Sequence, residues 1–353
     1  MASVEVIQDS SALPQRQSEW QALAASCGVA TVFQTWEWNS VWWRHFGRLP
    51  GRRLCLVTMR DTRGVLVGIA PLMTEFWRRT PLRCLSFLGT GQSDYLDILA
   101  APGWELAVTE ALYAHLKQRG DWVIADWPNV RAGGILREHS PATSLNLPFR
   151  NAETDVCPYS TLPQTGDALT LSLGRHLRTN LGYYDRAIRR VYRTEYHSVA
   201  ANERCESALD DLFELHERRW NDLGQFGAFR SRRVRAFHHE VAQEAHARGW
   251  LRLHSLRLDG SPEASWYGFS YGGLMLYYQS GFEPTLARWS LGTLLTTFAL
   301  RTAVEEGCAT FDFGCGAGNS MAKWTNQTHC NQRRVLTRFP GLLPLVPRAV
   351  ERG

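Results

Sequence analysis

A chain of 353 residues with 44% hydrophobic and 21% charged side chains holds enough apolar matter for one very large domain or two ordinary ones, which excludes a disordered or fibrous protein. Its net charge of +5 comes from 39 basic residues interspersed with 34 acidic ones, a mild bias towards anionic ligands and not the footprint of a dedicated nucleic-acid binder. The eight cysteines are scattered with no C-x-x-C pair, no run approaches the ~20 apolar residues of a membrane span, and "MASVEVIQDSSALPQ" lacks the basic-then-apolar order of a signal peptide; we expect reduced thiols and a cytoplasmic location.

In chain order, "TWEWNSVWWRHFG" reads as a helix with an aromatic face, ended by Gly47. "RLCLVTMRD", "TRG" and "VLVGIAPLM" read as strand, turn and strand, and "LRCLSFLG" and "YLDILA" as further strands. "WELAVTEALYAHLKQRG" is a helix closed by Gly120, followed by the buried strand "DWVIADW". Residues 141–168 read as connector with a short strand or two.

The second half repeats this order of elements. Leu177, Leu181, Tyr184, Ile188 and Val191 recur at helical spacing, with Arg175, Arg178, Arg186, Arg189, Arg190 and Arg193 on the other face. Leu209, Leu212, Phe213, His216 and Trp220 mark a second helix, and "RRVRAFHHEVAQEAHARG" a third. "WLRLHSLRL", "ASWYGFSY" and "LMLYYQSGF", separated by turns at Asp259-Gly260 and Gly272-Gly273, predict an antiparallel meander. "LGTLLTTFALRTAVEEG" is a helix, "CATFDFG" a strand and "QRRVLTRF" another strand.

"FDFGCGAG" at 311–318 imitates the glycine loop of a methyltransferase. Only 35 residues follow it, too few for the strand–helix units that complete such a cofactor crevice. Asp312 and these glycines therefore read as a strand end and its exit loop. A zinc site from Cys315, His329 and Cys330 lacks ligand spacing. None of the histidines pairs with a Ser or Cys nucleophile in a recognisable frame.

Helices, meander, helix and strand follow one another here as in the GNAT acyltransferase fold. The pieces "FQTWEWNSVWWRHFG", "LGTGQSDYLDILAAPG", "LRTNLGYYDRAIRRVYR", "LFELHERRWNDLGQFGAF" and "ARWSLGTLLTTFALRTAVEEGCATFDFGCG", with "AKW" after them, resemble the acetyltransferases associated with cellulose or exopolysaccharide biosynthesis, the CelD/BcsL group of that superfamily. The group is similar to the Fem-type peptidyltransferases, which are tandem GNAT proteins. The resemblance implies an α+β fold of two GNAT-like domains, each a mostly antiparallel mixed sheet flanked by helices: a degenerate domain at 1–165, an acyltransferase domain at 166–340 and a tail at 341–353.

It also implies acetyl-CoA or another acyl-CoA as co-substrate, no metal, and direct attack of an acceptor on the thioester. The loop "ARWSLGT" would take the pyrophosphate at a helix N-terminus, with Arg288, Leu291, Gly292 and Thr293 as contacts and Gln279 on the flanking strand. Asp312 is the candidate general base, against a loop-capping role. Tyr277 or Tyr278 is the candidate acid for the leaving thiolate, one of them facing inward by strand alternation. Asp94, Tyr95, Trp266, Lys323 and Trp324 are candidate substrate contacts. The expected acceptor is a small polar or sugar-related molecule; a monomer or homodimer is expected, with no nucleic-acid partner. The alternatives are an aminoacyl-tRNA-dependent Fem-type transferase and a non-catalytic binding protein of polysaccharide assembly.

Overall fold

A computed structural model describes residues 2–78, 80–140, 146–315 and 321–347. They form two compact units, Met1–Val156 with His329–Gly353 and Cys157–Thr328. These borders differ from the expected 165/166 and 340/341, because two strands carry the chain from one unit to the other.

The first unit contains β1 (Ser3–Ile7), α1 (Gln17–Ser26), α2 (Trp36–Phe46), β2 (Arg53–Arg60), β3 (Leu66–Phe76), β4 (Arg83–Phe87), β5 (Leu99–Ala100), α3 (Glu105–Gln118), β6 (Ile124–Val130) and α4 (Ile135–Glu138). Strand β7 (Phe149–Thr161) leaves it. The second unit holds the end of β7, α5 (Gly166–Ser172), α6 (Arg175–Arg189), β8 (Thr194–Ser198), α7 (Glu206–Asp222), α8 (Arg232–Ala247), β9 (Leu251–Leu258), β10 (Ser261–Tyr271), β11 (Leu274–Phe282), α9 (Leu291–Glu305) and β12 (Thr310–Asp312). Strand β13 (Gln327–Thr337) returns to the first.

The strands of each unit are mixed in direction and mostly antiparallel. In the first, β1-β2-β3-β4-β6-β13 run side by side, with β4 and β6 the parallel pair. In the second the order is β7-β12-β11-β10-β9-β8, with β11 and β12 the parallel pair. The α+β class with helix-flanked mixed sheets is thus as expected. Two local readings change. "YLDILA" shrinks to the two-residue β5, and the supposed connector contains the 13-residue β7.

The meander of the second unit follows its turn chemistry. Asp259 and Gly260 have φ of 52° and 91°, and Gly272 and Gly273 of 57° and 78°. Left-handed pairs of this kind make two-residue hairpins whose twist matches the strands. Trp266 and Tyr267, being adjacent on β10, face opposite sides of the sheet. Trp266 joins Leu291, Leu295, Phe311 and Phe313 in the core under α9. Tyr267 lies against His238 and Tyr278 on the side of α7 and α8.

Three histidines are buried in this unit, and burial pushes each below its ordinary 6.5: His216 to about 4, His238 and His254 to about 3. A histidine whose folded value is depressed contributes stability that is whole above the unfolded value and is lost as pH falls through the folded one. The second unit should therefore weaken between about pH 6.5 and 4, and its melting transition should fall steadily across that range. A transition that holds level from pH 7 to 4.5 would contradict this. The buried Asp97 of the first unit, raised by burial to about 6, acts oppositely, losing stability as pH climbs from 3.8 towards 6.

Candidate functional site

Among the described residues, strand β12 pairs with β11 over three residues only, Thr310 to Asp312 against Leu274 to Leu276. Strand β11 runs on to Phe282, held by β10 on its other edge as far as Ala264. From Tyr277 onwards the edge of β11 that faced β12 is thus left behind by its neighbour. Such an edge accepts an extended ligand as an added strand.

Within that stretch the register with β10 slips between Tyr267 and Gly268, so Tyr278 is the extra residue of a bulge. The bulge sends the two tyrosines apart. Tyr277 packs edge-on against Trp266 at 5.5 Å. Tyr278 sits with His238 at 5.3 Å and Tyr267 at 5.5 Å on the opposite face.

A cavity of about 260 Å³ opens on the Tyr277 side. Its walls are the end of β11 (Tyr277, Ser280, Phe282), the start of α9 (Ser290 to Thr293, and Thr296), Arg219 of α7, and Met321, Lys323 and Trp324. Arg219 Nη1 donates to Ser280 Oγ at 3.4 Å, and Ser280 Oγ shares a 2.6 Å hydrogen bond with the Tyr277 hydroxyl. The Arg219 guanidinium lies 5.0 Å from the Phe282 ring centroid. His216 fixes this end of β11. Its Nε2 accepts from the Ala228 N–H at 3.1 Å, so Nδ1 carries the proton and donates to the Ser280 carbonyl at 2.9 Å.

The cavity is prepared for an anion. The first turn of α9 has no acidic residue, and its N-cap Ser290, in the left-handed region at φ 52°, makes no side-chain capping bond. The N–H groups of such a turn and the helix dipole present positive potential. Lys323 Nζ adds to it, donating to Thr293 Oγ1 at 2.8 Å and lying 4.2 Å from the Trp324 ring centroid. Partial desolvation pushes this ammonium below its usual range. No carboxylate lines the cavity among the described residues. Two cations and a helix start, unbalanced by any acid, favour a bound phosphate or pyrophosphate.

Residues 175–320 match the family model of the acetyltransferase (GNAT) domain. A solved structure of FemX superposes with a TM-score of 0.68 at 11% identity, covering 96% of this chain and 98% of that one. The C-terminal DUF2156 domain of a protein described as a lysylphosphatidylglycerol synthetase, from Agrobacterium fabrum, gives 0.57 at 13% identity, with 94% and 95% covered. L-PGS from Bacillus licheniformis gives 0.53 at 14%, with 93% of each chain covered. No curated protein sequence resembles the chain closely enough to count as a match. The chain shares the fold of FemX, and residues 175–320 are the part of it that resembles the GNAT domain.

Within the second unit, five of the residues singled out from sequence meet at the cavity, besides Leu291: Tyr277, Gly292, Thr293, Lys323 and Trp324. Trp266 is fully buried behind Tyr277, stacked on His254 at 5.2 Å. Arg288 lies one turn before α9 with its guanidinium over Trp289, at 4.9 Å, outside the cavity lining. Gln279 pairs with Tyr267 across the bulge, on the face away from the cavity.

Asp312 is 1% exposed and its Oδ1 accepts the Gly314 N–H at 2.8 Å, the geometry of a loop cap. Phe311 and Phe313 on either side of it point into the α9 core, so alternation directs Asp312 to the other face. Gly316 and Gly318 of the glycine run lie outside the described residues.

Asp94 and Tyr95 belong to the first unit. The Asp94 carbonyl accepts from Asn331 Nδ2 at 2.9 Å, and the Tyr95 ring is buried between Phe33 and His329, 6.1 and 5.8 Å away. No cluster of three metal-ligating side chains occurs among the described residues. No described helix is long and apolar enough to cross a membrane.

Arg219, Ser280, Phe282, Ala287, Ser290, Thr296 and Met321 also line the cavity without having been read as site residues. A signal for Arg219 existed in the helical period, since it follows Leu212 and His216 on the stripe of α7 that packs on β11. Ser280 depends on the bulge, which resets the side-chain alternation and leaves no sequence mark.

Proposed function

We propose that the second unit is an acyl-CoA-dependent N- or O-acyltransferase for a small polar or sugar-related acceptor. The observation that carries this reading is the cation-lined, acid-free cavity placed where an unpaired strand edge meets an uncapped helix start. The match of residues 175–320 to the acetyltransferase domain supports it. So does the resemblance to exopolysaccharide-associated acetyltransferases, from which the sugar-related acceptor is taken.

In this reading the first-turn N–H groups of α9 and Lys323 hold the pyrophosphate, and the edge of Tyr277–Phe282 receives the extended pantetheine arm. The acyl-CoA supplies a thioester carbonyl. The acceptor attacks it and the C–S bond breaks. The Tyr277 hydroxyl, held by Ser280 and backed by Arg219, gives its proton to the departing sulfur. The proton released by the acceptor neutralises the tyrosinate left behind.

Coenzyme A should bind and stabilise the unit, by ~2.7 kcal/mol at about 100 times its Kd. Lys323→Met removes a charge-assisted contact and should weaken that binding about tenfold or more. Calorimetric titration checks both. No binding at millimolar coenzyme A, with stabilisation by an aminoacyl-tRNA instead, would overturn the acyl-CoA reading in favour of a Fem-type transferase.

A further inference from the structure

A second cavity, of about 350 Å³, lies between α6 and α9 in the same unit. One stripe of α6 (Arg178, Leu181, Gly182, Asp185, Arg189) faces one stripe of α9 (Leu294, Thr297, Phe298, Arg301), both at the i, i+3, i+4, i+7 spacing of a single helix face. Tyr196 of β8 closes one end, its ring stacked on Phe298 at 5.2 Å. None of these groups belongs to the site beside β11.

Three guanidiniums line this cavity against one carboxylate. Asp185 is already engaged, accepting from Arg189 Nε at 2.9 Å and from the Tyr196 hydroxyl at 3.2 Å. Arg178 and Arg301 have no ion-pair partner among the described residues. Two uncompensated guanidiniums, of fixed planar shape, match a dianion such as a phosphate monoester better than a carboxylate. Leu173, Leu181, Leu294 and Phe298 supply an apolar wall beside them.

Gly182 is the independent observation. It stands inside the 15-residue α6, where glycine costs ~1 kcal/mol relative to alanine. No positive φ requires it. No backbone approaches it either: an added Cβ would meet only the far end of the Arg186 side chain, at 3.1 Å. What the missing side chain does is leave volume in the cavity it lines.

We infer that the space between α6 and α9 binds a phosphate monoester bearing an apolar group, held by Arg178 and Arg301 and admitted by Gly182. This does not depend on the acyl-transfer reading. The probe is n-hexyl phosphate, titrated calorimetrically into the full chain, with inorganic phosphate and hexanoate as comparisons. Hexyl phosphate should bind at least about tenfold more tightly than either, since each comparison lacks one of the two contact types.

Gly182→Leu fills the volume with a better helix former. It should abolish this binding while the melting temperature stays level or rises. Arg301→Gln, an exposed position, should weaken binding about tenfold or more with folding intact, and keeps the test decisive if Gly182→Leu does not fold. Lys323→Met should leave it unchanged. Binding that follows Lys323 and ignores Gly182 and Arg301 would overturn the inference, as would equal affinity for hexanoate, for inorganic phosphate or for both.

Discussion

Replacing Tyr277 with phenylalanine is expected to lower turnover about 10²–10⁴-fold, the usual worth of a positioned general acid. The aromatic body is kept, so its edge contact with Trp266 at 5.5 Å survives. Only the hydroxyl that bonds Ser280 at 2.6 Å is lost. Coenzyme A affinity should stay within about twofold, because the helix start and Lys323 that would take its phosphates are untouched. Asp312→Asn provides the contrast. Asp312 caps the Gly314 N–H at 2.8 Å, and loss of a cap costs ~1 kcal/mol of stability. Turnover of that variant should stay within about tenfold. Turnover and melting temperature measured on both variants separate a proton donor from a cap. Should Tyr277→Phe retain nearly full activity, or Asp312→Asn lose it while staying folded, the assignment of the acid–base role to Tyr277 fails.

The largest effect on stability should come from Gly281→Ala. A Cβ at Gly281 would lie 2.2 Å from the backbone nitrogen of His216 and 2.5 Å from the carbonyl carbon of Leu215. Helix α7 therefore rests directly on the backbone of β11, and no side-chain rotation can make room. Overpacking of this kind costs ~1–3 kcal/mol where side chains can shift, and more where backbone must. We expect ~3 kcal/mol or more, measured by urea unfolding of the second unit. Gly292→Ala is the control. Its Cβ would reach Phe282 Cδ1 at 3.5 Å, an ordinary contact, so stability should change by less than ~1 kcal/mol. Equal losses in the two variants would show that Gly281 is not the point of close approach.

The elements that follow from local chemistry were legible before any coordinates. The period of Leu177, Leu181, Tyr184 and Ile188 marked α6, and the paired turn residues at 259–260 and 272–273 separated β9, β10 and β11, with the expected start of β10 three residues late. The loop at Arg288–Thr293 was legible as a helix start because Gly and Thr open an apolar run there. What was not legible depends on distant partners. The expected strand "QRRVLTRF" reads as a strand wherever it pairs, so its pairing with β6 (Val335 opposite Asp126) had no local signature. The face to which Tyr277 turns is decided by one extra residue in β11 relative to β10, a matter of register between strands.

The chain path through β7 and β13 has a consequence for synthesis. The second unit is one uninterrupted run, Cys157–Thr328, so all of its residues are made before β13 is finished. The first unit has its opening 156 residues early but lacks β13, which contributes Arg333 to a buried pair with Asp126 at 2.6 Å and Arg334 to the Tyr113 hydroxyl at 2.9 Å. At ~5–20 residues per second, that strand emerges roughly 10–40 s after Val156. Meanwhile β6 waits with an unpaired edge, an invitation to self-association. A nascent chain stalled or clipped after Thr328 would therefore carry its damage in the half made first, while the half containing Tyr277 and Lys323 stood complete.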